Sequence, residues 1–282
     1  MLPARLQGLG CRTAALLFCD LIRMDYFRSY LDNGPVFAAL LRGAECLLME
    51  RAMPFEPPVL DLGCGDGFFS SVLPRVEPWV GLDPDGAALR FARHSRLGNT
   101  LVCGDGARMP FPDGAFATVV SNSVLEHVPP LAETLAEAHR VLRPGGRFLM
   151  TAPSDRFAGM LLGSSLASAA GWPRLARAYG DWFNGHSRHY HTFNVETWQE
   201  WLQRAGFHVE RAHYYLSAPA LRAFDLAHYL SVPRLISRKL TGRWMLFPNP
   251  LTGIVYDRWL RRYCDPRPVE TGPFLFVEAR KR

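Results

Sequence analysis

Three glycines at alternate positions, Gly63, Gly65 and Gly67, separate two apolar runs in the stretch VLDLGCGDGFFS that begins at Val59. With no Cβ in the way, a backbone turn built on them can bend sharply and let a ligand approach the N–H groups at a helix start. The dinucleotide fingerprint places its third glycine three positions after the second; Phe68 stands there, so the pattern is GxGxG. Asp61 ends the preceding run and sets a carboxylate beside the turn, where it would repel a pyrophosphate and attract the amino group of an amino-acid moiety. Twenty residues beyond Gly63, a second apolar run from Trp79 ends in Asp83, the place of a ribose-binding carboxylate.

These residues resemble motif I and the ribose acid of the class I S-adenosylmethionine-dependent methyltransferases, and later segments extend the likeness. LVCGDGARMPFPDGAF carries Asp105 after a third short strand, and ATVVSNSVLEHV with EAHRVLRPGGRFLMTAPS is similar to the small-molecule, type 11-like subfamily. The resemblance runs from about Pro58 to Ser154. It implies S-adenosyl-L-methionine as cofactor, with Asp61, Gly63, Gly65 and Gly67 around its methionine part, Asp83 at ribose, Asp105 and the backbone of Gly106 at adenine, and Asn122 also in the cofactor site. Ala117 follows Phe116 where the family usually has an acid. Ser121-Asn122-Ser123-Val124 stands where methylases of exocyclic amines carry an Asn/Asp-Pro-Pro-aromatic tetrad, which argues against adenine or glutamine amides as acceptors. The implied activity is direct methyl transfer to a small-molecule or lipid-like acceptor. An RNA methyltransferase and a non-catalytic cofactor-binding protein are the alternatives.

Deprotonating an attacking hydroxyl or thiol needs a group that titrates near neutrality. His127, in LEHV, and His186, in the GHSRHYH segment, are the candidates, with Arg188 from the family-like His-x-Arg pair beside the acceptor pocket. His186, His189 and His191 also invite a metal reading. No carboxylate or cysteine cluster accompanies them in the sequence, and no metal site is expected. Cys64, inside the glycine turn, reads as a small space-filler.

The elements that must hold these residues follow from periodicity. Strands are expected at Val59 to Leu62, Trp79 to Asp83, Leu101 to Cys103, in ATVVSN, and after the Pro-Gly-Gly of RVLRPGG. A helix follows Asp83 with Ala87, Ala88, Phe91 and Ala92 on its buried side, and Asn194 caps a helix through Trp198, Trp201 and Leu202. By resemblance the fold is α/β, a Rossmann-like seven-stranded sheet, mostly parallel with an antiparallel last strand, plus helical cap insertions. Residues 1–57 form a helical lid or edge packing, TAALLFCDLIRMDYF and PVFAALLRGAECLLMERAM being split at Asn33-Gly34-Pro35. Residues 58–154 are the cofactor core, 155–205 an acceptor-side cap with a buried helix within Phe157 to Trp172, and 206–282 the last strands, near Phe207 to Ala212 and Phe274 to Ala279, with an insertion at about 213–272.

At 282 residues and 48% hydrophobic content the chain can bury a full core. Neither apolar stretch near the start is a signal peptide or a membrane span. The six cysteines show no CxxC pairing, which suits a reducing cytoplasm. Net charge is +6, and from Arg211 onward 13 Lys/Arg face 5 Asp/Glu. That segment interleaves arginine with Tyr214, Tyr215, Phe224, Tyr229, Trp244, Phe247, Tyr256 and Trp259. An amphipathic acceptor, met at an anionic membrane surface through Arg234, Arg238, Lys239 and Arg243, is the expectation; the plainer reading makes these aromatics the cap's own core. Nucleic acid is not an expected partner, and no oligomeric state is implied.

Overall fold

Along the central strands successive side chains face opposite ways, and that alternation builds a core on each side of one sheet. Val119, Phe148, Met150, Leu275 and Val277 pack on one face, while Val120, Leu149 and Phe276 pack on the other. The computed structural model describes residues 24–74, 76–93, 100–241 and 250–282. Its strands are β1 Val59–Leu62, β2 Trp79–Asp83, β3 Leu101–Cys103, β4 Phe116–Asn122, β5 Leu142–Pro153, β6 Phe207–Tyr215, β7 Pro268–Val269 and β8 Phe274–Lys281. They lie in the order β3-β2-β1-β4-β5-β8-β6-β7.

The five N-terminal strands run parallel, and β8 inserts antiparallel between β5 and β6. The expected sheet is therefore present, widened at one edge by the two-residue β7 pairing with Tyr214 and Tyr215. The chain order reverses at β1, which has β2 on one side and β4 on the other. Such a switch point opens a crevice at the carboxyl ends of the strands, and Asp61 and Asn122 stand at those ends.

Helices α1 (Tyr26–Asn33) and α2 (Val36–Ala52) precede the sheet and break at Gly34 and Pro35, as the dipeptide predicts. Residues 13–23 of the expected first helix lie outside the described residues. After β1 comes α3 (Phe68–Val72), after β2 α4 (Gly86–Ala92), and before β5 α5 (Leu131–Val141). Between β5 and β6 lie α6 (Phe157–Met160), α7 (Leu162–Ala169), α8 (Pro173–Ser187) and α9 (Val195–Arg204), the last capped by the Asn194 side chain at 2.9 Å from the Thr197 N–H. Between β6 and β7 lie α10 (Ala218–Leu230), α11 (Val232–Thr241) and α12 (Pro250–Leu260).

Two packing expectations are corrected. Helix α4 turns Leu89 and Ala92 inward, leaving Ala87 exposed and Phe91 59% exposed. Asp85 caps that helix on the Ala87 N–H at 2.7 Å, which sets its first turn and points Phe91 away from the sheet. The stretch Phe157 to Trp172 holds two short helices and is buried on one side only: Phe157, Leu161, Ser164 and Ala167 face in, Leu166 and Trp172 face out. Its apolar residues recur at helical spacing on a single face, so a second buried face has nothing to cover.

Candidate cofactor cleft

A cleft of about 760 Å³ opens at the carboxyl ends of β1 and β4, walled on its far side by α1 and α2. Gly63, at φ +78°, brings the turn so close to Val124 that a Cβ there would collide with the valine side chain. Gly65, at φ +56°, faces open space, so a side chain at that position would intrude on the cleft. Several N–H groups of the turn are engaged within the protein. Gly63 and Cys64 donate to the Leu82 carbonyl at 2.8 and 3.1 Å, Gly67 to that of Cys64 at 2.9 Å, and Phe68 to the Asp66 side chain at 3.1 Å. Four N–H groups of the turn thus bond within the protein, and the turn supplies room for a ligand beside the five-residue α3.

Asp61 lines this cleft, almost wholly buried, and its Oδ2 has no hydrogen-bond partner. Burial pushes its carboxyl up to about 7, with the Asp83 charge adding and a Ser70 hydrogen bond opposing. Asp83 acts on the turn itself, its Oδ2 accepting the Gly65 N–H and its Oδ1 that of Asp85, both at 2.8 Å. Asp105 is exposed and accepts the Ala107 N–H at 2.9 Å; Gly106 is packed against Leu62 and Thr134. Neither Asp105 nor Gly106 lines the cleft, which gathers Asp61, Gly63, Gly65 and Asn122 from the expected set. Cys64 lines it too, its thiol raised by burial first and then by the Asp61 charge, consistent with an inert filler.

The opposite wall contributes residues that the motifs did not single out. Arg42 of α2 enters the cleft and donates to Glu45 Oε2 at 2.8 Å. Glu45 is fully buried and gathers Asn122 Nδ2 at 2.8 Å, the Ser123 hydroxyl at 2.6 Å and the Tyr215 hydroxyl at 3.2 Å. Thr151 in turn donates to Asn122 Oδ1 at 2.9 Å. One carboxylate thus ties α2 to the ends of β4 and β6 and sets the Asn122 amide. The only sequence signal was Arg42 and Glu45 interrupting an otherwise apolar helix. Phe91 and Arg238 close the outer edge, with the guanidinium 5.0 Å above the ring.

The histidines divide. A single 3-10 turn, Leu125–His127, follows β4, and the segment after α8 is pinned to it by the Tyr190 N–H on the Glu126 carbonyl at 2.7 Å. That brings His189 to His127, with ring centroids 5.2 Å apart. His186 remains exposed, stacked on Trp182 at 5.6 Å, and the Arg188 side chain is exposed as well. Neither lines the cleft. Arg188 meets His127 through its carbonyl, 3.2 Å from Nδ1. Burial lowers the His127 ring below its ordinary range, and burial with the His127 charge pushes His189 down to about 4. Glu126, buried between them and α2, is pushed up to about 8 by burial.

Residues 60–150 match the family model described as a methyltransferase domain. Malonyl-acyl-carrier-protein O-methyltransferase of Erwinia pyrifoliae is 32% identical over 153 residues, covering 54% of this chain and 54% of that protein. Fatty-acid O-methyltransferase of Mycolicibacterium smegmatis is 38% identical over 104 residues, 35% of this chain and 38% of that protein. The chain thus matches about half or less of the length of these relatives. A solved S-adenosylmethionine-dependent methyltransferase from Thermotoga maritima superposes with a TM-score of 0.56 at 17% identity, covering 91% of this chain and 95% of that one, a likeness of fold.

Proposed function

We propose, from a chain whose core is a class I S-adenosylmethionine-dependent methyltransferase domain of the type 11 kind, that the protein moves the methyl group of S-adenosylmethionine to a lipid-like acceptor. The observation that carries this reading is the pairing of two groups in one glycine-walled cleft. Asp61 presents a buried carboxylate oxygen without a partner, and Arg42 presents a guanidinium. Those charges complement the ammonium and carboxylate of an amino acid, the part of the cofactor that distinguishes it from a dinucleotide. The residues present therefore fit the group.

Bound there, S-adenosylmethionine supplies an electrophilic methyl on sulfonium, open to direct attack by an acceptor atom. The chain's task is alignment and exclusion of water. Gly65 leaves room for the methionine part, Asp83 holds Gly65 in place by its N–H, and Asn122 is fixed by Glu45 and Thr151 on the floor. Asp105 and Gly106 belong on the adenine side of this assignment, and His127 at the acceptor side.

An apolar acceptor is favoured by the names of the two relatives and by helix α11. That helix turns Val232, Leu235, Ile236 and Leu240 to solvent while Arg234 is buried. Its Arg238 reaches the cleft, so the apolar face borders the entrance. A peripheral meeting with a membrane surface follows; no helix among the described residues is long and apolar enough to cross one. Methyl-labelled cofactor offered with free fatty acids, acyl thioesters, phospholipids, RNA and polar metabolites tests the reading. Label is expected in a lipid fraction. A folded protein that binds cofactor and labels none of them would be a binding protein, and label in RNA would replace the acceptor class.

A further inference from the structure

Beside the cleft stands a three-residue group of which the methyl-transfer reading uses only His127, as an acceptor-side residue. Glu126, His127 and His189 each offer one ligand atom, and these atoms all lie within 4.8 Å of one another. Glu126 is 2% exposed, and its Oε2 is buried without a hydrogen-bond partner. His127 Nδ1 lies 3.2 Å from the Arg188 carbonyl, an acceptor only, so Nδ1 carries the proton and Nε2 carries a lone pair. That Nε2 is 3.8 Å from Glu126 Oε1. His189 is held in the same way, Nδ1 meeting Asn184 Oδ1 at 3.1 Å, which leaves its own Nε2 free.

We propose that Glu126, His127 and His189 form a site for a divalent first-row transition cation. Two imidazoles that donate their other ring nitrogen to carbonyl oxygens, plus one carboxylate, make a donor set suited to zinc, iron or manganese. The partnerless Glu126 oxygen and the two imidazoles gathered beside it are what a cation would satisfy. Three protein ligands leave coordination positions open, as in sites that also hold a substrate oxygen. The backbone supports the arrangement: the Tyr190 and His191 N–H groups both reach the Glu126 carbonyl, at 2.7 and 3.4 Å, and fix His189 over the turn. His191 is excluded from the set because its Nε2 sits 2.9 Å from the Val128 carbonyl. Sequence neighbours alone gave His189 no carboxylate; the fold brings one from 63 positions earlier.

The site lies at the carboxyl end of β4, immediately past Ser123 and Val124 of the cleft wall. Its role there rests on the methyl-transfer reading. A cation held there would bind an acceptor hydroxyl and promote loss of its proton to bulk solvent before methyl transfer, in which the new carbon–oxygen bond would replace the carbon–sulfur bond and leave its electron pair on sulfur. The cation thus points to oxygen as the atom methylated.

The binding claim is tested without cofactor or acceptor, so its failure is separate from failure of the methyl-transfer reading. Full-length protein is stripped with chelator, desalted and titrated with cobalt(II) while the visible ligand-field bands are recorded, and zinc(II) is then used to displace the cobalt. One equivalent should bind. Glu126→Gln and His189→Asn, each checked by thermal melting, should weaken cobalt binding at least tenfold, whereas His208→Gln, on the exposed edge of β6, should not. Glu126→Asp replaces Glu126→Gln if the latter fails to fold. The proposal is overturned if the wild type takes up neither metal at millimolar concentration, or if the folded Glu126 and His189 variants bind as tightly as wild type.

Discussion

At the residue scale Asp61 and Arg42 have opposite duties and separable signatures. The Asp61 carboxyl titrates at about 7 in the free protein, against 3.8 for an ordinary aspartate. A cofactor ammonium favours the ionised form, so affinity should fall up to ~10-fold per unit as pH drops below about 7 and be flat above it. Asp61→Asn should bind more weakly and lose that dependence, as calorimetry from pH 5.5 to 8.5 would register. Stability carries the reverse sign. The folded protein holds the Asp61 proton more tightly than the unfolded chain, so the contribution is fully present at low pH and is lost between about 4 and about 7. Relative to wild type, Asp61→Asn should therefore gain stability across that window, by at most ~1.4 kcal/mol per pH unit, in melts at matched ionic strength. Arg42 would meet the other end of the amino acid. Arg42→Gln should raise the Kd for S-adenosylmethionine by about 10- to 100-fold, the range for a hydrogen bond to a charged group. Methylthioadenosine, which lacks the amino-acid part, should bind both proteins alike; equal losses for the two ligands would remove the assignment.

At the element scale, what was readable in the sequence was what is local. Val59–Leu62, Trp79–Asp83 and Leu101–Cys103 carry apolar runs ended by glycine or an acid, and each strand falls where those signals place it. The Asn33-Gly34-Pro35 break and the Asn194 cap are equally local chemistry. What was not readable depends on pairs far apart in the chain. Glu45 looks like a surface charge interrupting an apolar helix, yet it is the acceptor for Ser123, 78 positions away, and Tyr215, 170 away. The Glu126–His189 proximity arises in the same manner. Of the aromatics assigned to a surface, Tyr215 and Phe224 are core, Tyr229 is exposed, and Trp244 and Phe247 lie outside the described residues. The Glu45 arrangement has a measurable weight. Glu45→Ala strips the shared acceptor from two buried hydroxyls, an amide and a guanidinium, and should cost about 3–5 kcal/mol, the range for breaking a buried charge pair. Glu45→Gln keeps one acceptor oxygen and should cost less. Urea denaturation would rank the two; equal, small losses would mean that α2 is held by its apolar face alone.

At the scale of the whole molecule, helix α11 is inverted relative to an ordinary surface helix, and the inversion has a cause in the fold. Arg234 turns inward because α1 ends beneath it: its guanidinium donates to the carbonyls of Leu31 at 2.6 Å and Gly34 at 2.9 Å, which the helix end leaves open. Once Arg234 and Ser237 point in, the 3.6-residue period forces Val232, Leu235, Ile236 and Leu240 out, and Leu226 and Leu230 of α10 are exposed as well. This geometry removes Arg234 from the basic residues expected to face an anionic surface. Arg234 is buried, Arg238 lies over Phe91, Lys239 is exposed, and Arg243 falls outside the described residues. Attachment to a bilayer should then be driven mainly by apolar burial, at roughly 1 kcal/mol or more for each side chain that enters the interface. In flotation assays the protein should rise with phosphatidylcholine vesicles and somewhat more with anionic ones, and 0.5 M salt should remove only that difference. Ile236→Asp with Leu240→Asp should abolish flotation while leaving cofactor affinity unchanged, since neither side chain lines the cleft. A wild-type protein that stays at the bottom of every gradient would show that the exposed face serves something other than a membrane, and flotation that vanishes entirely in salt would return the attachment to charge.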